Sequence, residues 1–182
     1  MSTPLTQIDF YKADHRSQYP EGTTTVFSNW TPRKSRIDDI DEVVFFGLQY
    51  FVKEYLINRW NRDFFDRPKD EVVQRYARRM RNAGITIEVD HIEALHDLGY
   101  LPLEIMALPE GSAVPLGMPM FIMWNTNPEF FWITNYFRPA LCRSCRTPGT
   151  TGRYGPSTYP SCETKFSPET ARSRSVLTAV TR

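Results

Sequence analysis

The chain has 182 residues, 41% of them hydrophobic and 14% aromatic, with a formal net charge of +1. That length suits one domain with a tail, and the near-neutral balance argues against a nucleic-acid binder or a membrane-surface protein held by bulk charge. No apolar stretch approaches bilayer-spanning length, and Met1–Gln7 is polar with no signal core, so the expected location is the cytoplasm.

The elements follow in chain order. Asp9–Pro20 predicts a short helix, with Asp9 as its N-cap or first-turn acid and Pro20 limiting its far end. Glu21-Gly22 is a turn. Thr23–Thr31 alternates, with Val26 and Trp30 on one face and Phe27 on the other, and predicts a strand. Pro32–Arg36 reads as a basic loop. Asp38, Asp39, Asp41 and Glu42 precede an apolar run, as suits the positive end of a helix dipole. Val43–Trp60 is the strongest predicted helix, with Val44, Leu48, Phe51, Tyr55 and Trp60 near one stripe. Gly47 then falls inside a helix, where it costs about 1 kcal/mol against Ala and would be kept for close packing. Pro68 opens a helix that runs to Asn82, with Gly84 at C′. Asp90 and Glu93 suggest a capping box for a short helix ended by Gly99. Leu103–Ala107 predicts a strand, Pro109-Glu110-Gly111 its turn, and Met120–Trp124 a buried strand. Asn127-Pro128 caps an aromatic helix over Glu129–Phe137. The expected fold class is α+β, with helices packed on a small, mainly antiparallel sheet.

The chemical character changes after Phe137. Residues 138–182 hold eight Lys or Arg against two acids, leaving 14 basic and 19 acidic residues in 1–137. All four Trp precede residue 138 and all three Cys follow it. The last 45 residues contain only Leu141, Val176, Leu177 and Val180 of the aliphatic and Met class. Too little apolar surface is present there to offset ordering entropy, which predicts a disordered tail over 138–182. A shift of reading frame near residue 137 is one origin for so abrupt a change.

The blocks that carry a family likeness lie in the first 137 residues. Asp9-Phe10-Tyr11-Lys12, His15 and Gln18-Tyr19-Pro20 come first. Phe27-Ser28-Asn29-Trp30-Thr31-Pro32-Arg33 and Val44-Phe45-Phe46-Gly47-Leu48-Gln49-Tyr50 follow. Leu101-Pro102-Leu103-Glu104-Ile105, Pro109-Glu110-Gly111, Val114-Pro115 and Gly117 come next. Asn125-Thr126-Asn127-Pro128-Glu129 and Trp132-Ile133-Thr134-Asn135-Tyr136 close the series. In this order the chain resembles the N-terminal domain of the nicotinamide phosphoribosyltransferase family over residues 9–137. Through His15 and Gln18-Tyr19-Pro20 it is closer to that branch than to the nicotinate branch; a nicotinate phosphoribosyltransferase fragment is the alternative.

The resemblance implies transfer of a phosphoribosyl group from phosphoribosyl pyrophosphate, with Mg2+, to the ring nitrogen of nicotinamide. The products are nicotinamide mononucleotide and pyrophosphate, a step of NAD salvage. It implies a homodimer, or a pairing with a full-length homologue, in which the N-terminal segment of one subunit enters the partner's site. Tyr11 would lie against the nicotinamide ring, Asp9 would line the same pocket, and Arg33 would face the phosphates. No catalytic residue and no resident cofactor are expected in this chain. The family's α/β barrel, which carries most remaining ligands, finds no match here, so a chain offering only Asp9, Tyr11 and Arg33 is expected to be inactive alone. The residue types fit such chemistry, since a flat ligand gains from a stacked Tyr and a departing pyrophosphate from a guanidinium. Taken without the likeness, Tyr11 is a half-buried packing residue, Asp9 a helix cap and Arg33 a loop charge.

Other motifs are weaker. Cys142 and Cys145 form a C-x-x-C, but only Cys162 remains to complete a zinc set, so no metal site is expected. His91 and His96 are five apart and do not share a helix face as a metal pair would. Arg75, Arg78, Arg79 and Arg81 read as a solvated face paired through Glu71, not as a nucleic-acid interface. A non-catalytic dimerisation or binding module is the competing reading, with a basic-tail nucleic-acid binder behind it.

Overall fold

The computed structural model describes residues 3–35 and 38–137, and the backbone of two short strands at 159–161 and 164–165. Its centre is an antiparallel sheet. Strand β1 (Phe27–Lys34) pairs with β5 (Phe121–Asn125), which pairs with β3 (Leu103–Ala107). Strands β6 (Tyr159–Ser161) and β7 (Thr164–Lys165) add to the other edge of β1. A second, two-stranded sheet joins β2 (Glu42–Val44) to β4 (Ala113–Pro115).

Register decides which side chains meet. One row crosses the sheet as Ile105, Met123 and Ser28; the next as Ala107, Phe121 and Trp30. Because side chains alternate along a strand, Val26, Ser28, Trp30 and Pro32 share the buried face of β1. Trp30 stacks on Phe121 with centroids 5.8 Å apart. Beyond the Ile105, Met123 and Ser28 row, Asn125 Oδ1 accepts the Val26 amide (2.8 Å) and its Nδ2 donates to the Thr24 carbonyl (2.8 Å). One buried amide side chain thus seals the end of the ladder.

Helices close the core. Helix α1 opens as Leu48–Tyr50 and continues with π-type hydrogen bonding through Phe51–Arg59 and Asn61–Phe65. Leu48, Val52, Leu56, Trp60 and Phe64 are all buried at a four-residue spacing. A 3.6-residue turn would carry that row steadily around the axis. The i→i+5 turns have the same right hand but take more than four residues each, so they shift the row in the opposite sense. Helix α2 (Lys69–Asn82) buries Val72, Val73, Tyr76 and Met80; α3 (Asp90–Leu98) buries Ile92 and Leu95. The helical residues 133–137 supply Ile133, Tyr136 and Phe137, and the Phe137 ring meets Trp60 edge-on at 4.9 Å. Tyr136 donates its hydroxyl to the Leu5 carbonyl (2.6 Å) and so ties the N-terminal turn Pro4–Thr6 to the core.

The expected α+β class is observed, as are α2, β3 and the turns at Gly22 and Gly111. Several expectations are corrected. Pro32, Arg33 and Lys34 belong to β1 and not to a loop. The predicted helix over 43–60 begins only at Leu48. Val43 and Val44 are β-branched and pair with Val114 and Ala113 instead, which places Asp38, Asp39 and Asp41 ahead of a strand and Glu42 at its first position. Gly47 is consequently not inside a helix: it precedes α1 at φ +97°, with nothing within 4 Å of where a Cβ would stand. The capping box at Asp90 does not form, since α3 makes no side-chain cap bond and the Asp90 carboxylate turns to Arg16. The expected disordered tail falls outside the described residues, apart from the pairing of β6 and β7 with β1.

Candidate functional site

The expected helix over 9–20 is two short 3₁₀ turns, Phe10–Ala13 and His15–Gln18, which meet at Asp14. Local polar groups explain the tight winding. The Lys12 amide donates to the Asp9 carbonyl (2.8 Å). Ser17 donates its hydroxyl to the Asp14 carbonyl (2.7 Å) and carboxylate (3.0 Å), and Gln18 reaches the same carboxylate (3.3 Å). Side chains that bond their own backbone compete with α-helical bonding and favour such turns. Asp9 is the N-cap of the first turn, closing it through its carbonyl and not through a side-chain cap bond.

Tyr11 projects outward and is 57% exposed, with Phe10 beside it at 48%. The ring is nonetheless held. His15 lies 5.1 Å away between centroids at a 55° tilt, and Lys12 Nζ sits 5.1 Å from the Tyr11 centroid. A cation over a ring face contributes roughly 0.5–1 kcal/mol at such a site. Lys12 itself is buried, and its ammonium donates to His15 Nδ1 (3.3 Å). Lys12 and His15 are thus joined by a local hydrogen bond. Asp9 and Tyr11 therefore share one turn. Arg33 is carried separately on β1, exposed because Trp30 and Pro32 take the inward phase. Arg36, grouped with it by sequence, lies outside the described residues.

Long-range contacts that sequence reading missed tie this segment to the domain. Arg16 donates to both Asp90 oxygens (3.2 and 3.3 Å) and lies 3.4 Å from His91 Nδ1. The His91 ring is buried and meets Trp132 edge-on at 4.9 Å. Burial first, and the Arg16 charge second, lower the His91 pKa to about 4. At neutral pH the ring is therefore uncharged, and its Nδ1 stands between the guanidinium, which can only donate, and Asp90 Oδ1 at 3.5 Å, which can only accept. At the far end of the segment the Asn135 amide donates to the Tyr19 hydroxyl, while Asn135 Oδ1 accepts from Ser28 (3.3 Å). Tyr19 also stands edge-on to Phe131 at 5.2 Å. The one signal in the sequence was the presence of Tyr19, Ser28 and Asn135 in the family-like blocks.

Elsewhere, His96 Nε2 donates to the Arg67 carbonyl (2.9 Å), so His91 and His96 serve separate packing roles. Arg75 pairs with Glu71 on the exposed face of α2. Among the described residues no cluster of three or more His, Cys, Asp or Glu could hold a metal ion, and no helix is long and apolar enough to cross a membrane.

Residues 4–105 match the family model "Nicotinamide phosphoribosyltransferase, N-terminal domain". The chain is similar to a nicotinamide phosphoribosyltransferase of Acinetobacter baylyi (strain ATCC 33305 / BD413 / ADP1), with 54% identity over 145 residues. That alignment covers 76% of this chain and 29% of the relative. A second relative of the same name, from Xanthomonas campestris pv. campestris (strain 8004), is 32% identical over 139 residues, covering 76% of this chain and 28% of its own length. In fold, the chain is similar to the crystal structure of human nicotinic acid phosphoribosyltransferase. The TM-score is 0.50 at 20% identity, over 75% of this chain and 25% of that one. The chain thus spans less than a third of the length of each of these proteins.

Proposed function

Because the chain belongs to the nicotinamide phosphoribosyltransferase family, we propose that it supplies the ring-facing part of a composite site shared between two subunits. In the reaction the C1–O bond to pyrophosphate breaks and a C1–N bond to the nicotinamide ring nitrogen forms. Tyr11 covers the pyridine ring, Asp9 lines the same pocket, and the Arg33 guanidinium faces the phosphates and the charge that builds on the leaving pyrophosphate. Mg2+ enters this reading as a companion of phosphoribosyl pyrophosphate. The working unit is a homodimer, or this chain paired with a full-length homologue, in the cytoplasm. The 182-residue polypeptide alone makes no nicotinamide mononucleotide.

The observation that carries this reading is the pose of Tyr11. An aromatic residue more than half exposed gains little for folding, yet it is braced by Lys12 and His15. That combination suits a ring offered to a ligand held elsewhere. The test is co-expression with a full-length relative in which the tyrosine aligned with Tyr11 is changed to Ala. The wild-type chain should restore mononucleotide formation, and the Tyr11→Ala chain should not. Absence of restoration by the wild-type chain removes the in-trans role, and product formed by the 182-residue chain alone removes the claim of inactivity.

A further inference from the structure

We propose that Arg16 is a positioning residue, which sets the pose of the Tyr11 segment by docking a forked guanidinium onto the start of α3. Its purpose rests on the in-trans reading of Tyr11; its geometry does not.

Residues 10–18 form two 3₁₀ turns, with neither an α-helical ladder nor a sheet partner to fix them. Turns this short are marginal by themselves. The direction in which Tyr11 points must therefore come from ties outside the segment. Tyr19 anchors one end through Asn135 and Phe131. Arg16 anchors the middle, next in sequence to His15, whose ring bears on Tyr11. A change in the seat of Arg16 is passed to Tyr11 through that ring.

The seat is chemically specific. Nη1 and Nη2 each reach one oxygen of Asp90, the parallel two-bond arrangement that a planar guanidinium makes and an ammonium cannot. Nη1 also reaches His91 Nδ1. A guanidinium has no acceptor, so a hydrogen bond here uses the His91 tautomer with Nδ1 bare; in the other tautomer the same Nδ1 donates to Asp90 Oδ1, 3.5 Å away. Trp132 and burial hold that ring in place. Arg16 thus meets two partners on consecutive residues, one exposed and the other buried. The buried one sets direction; the exposed carboxylate alone would leave the arm free to swing.

Hydrogen exchange on the 182-residue chain tests this. The Lys12 and Ser17 amides report the two turns, since they donate to the Asp9 and Asp14 carbonyls. In Arg16→Ala both should exchange roughly threefold to tenfold faster, with α2 amides unchanged. Arg16→Lys should recover only part of the protection, because it restores charge without the fork. Arg16→Asp combined with Asp90→Arg should recover more of it than either single change. Unchanged exchange in Arg16→Ala overturns the proposal. So does equal acceleration in α2, which would make Arg16 a general stabiliser. Full recovery by Arg16→Lys would overturn the role of the fork. In the co-expression assay Arg16→Ala should raise the nicotinamide KM of the restored activity more than it lowers kcat. If the wild-type chain restores nothing, the in-trans reading falls while the exchange result still decides the role of Arg16.

Discussion

At the scale of single residues, burial does more to set chemistry than sequence neighbours do. His91 follows an aspartate, and a local reading would expect that carboxylate to favour a charged ring. The ring is instead buried against Trp132 and faces Arg16, and its pKa falls to about 4. The consequence for stability has a definite sign. In the unfolded chain the imidazole takes up its proton near pH 6.5, whereas in the folded chain it does so only near 4. The stabilising contribution is complete above 6.5 and is lost as pH falls from there to 4. The full swing is about 3 kcal/mol. Urea unfolding of wild type and His91→Gln across that range should show the wild-type curve falling more steeply; parallel curves would mean that His91 titrates normally. Asp90 shows the complementary point. Its position opposite Glu93 suggested a cap, yet its oxygens meet a guanidinium 74 residues away in sequence. An exposed carboxylate has several possible donors, and only the folded chain decides which arrives.

Among the elements, α1 shows both the reach and the limit of periodicity. The apolar repeat located the helix and most of its buried face. It could not place the start, because Val43 and Val44 continue the same repeat while pairing as a strand with β4. The boundary is set by Gly47 at φ +97° and by Glu110, whose carboxylate accepts the Gln49 amide (2.7 Å) at the first turn. A turn between β3 and β4 thus supplies the cap of a helix 61 residues earlier. Gly47→Ala separates the two readings of this glycine. In a helix interior the change would stabilise by about 1 kcal/mol. At a left-handed φ it should destabilise by roughly 1–2 kcal/mol, through backbone strain alone because the space is open. Thermal unfolding of the variant gives the sign directly. Strand β1 carries a similar lesson: a proline and two basic residues look like a loop, yet Pro32 lies in the inward phase and the strand continues to Lys34.

For the molecule as a whole, the core is continuous and the surface is not uniformly polar. Val44, Phe46 and Tyr50 are exposed where β2 passes into α1, and Leu108 and Met118 are exposed on the loops flanking β4. Apolar side chains gathered in this way are expected to cause association. Replacing Phe46 and Tyr50 together by Ser should lower concentration-dependent self-association in sedimentation while leaving the melting temperature within a few degrees. A large drop in melting temperature would show that these rings support the fold and are not simply an adhesive face.

The amino-acid order alone determined the family, the α+β class, and most helices and turns. All of these depend on local pattern: spacing of apolar residues, glycine and proline at turns, and blocks of residues in a fixed order. Tertiary structure alone decided that Tyr11 points outward, that Arg16 meets Asp90 and His91, that Glu110 caps α1, and that Asn135 joins Tyr19 to Ser28. Each of those contacts joins groups more than fifty residues apart or depends on which face of a turn is covered. Polar groups have several acceptable partners, and the choice is made by the path of the backbone, which no local pattern encodes.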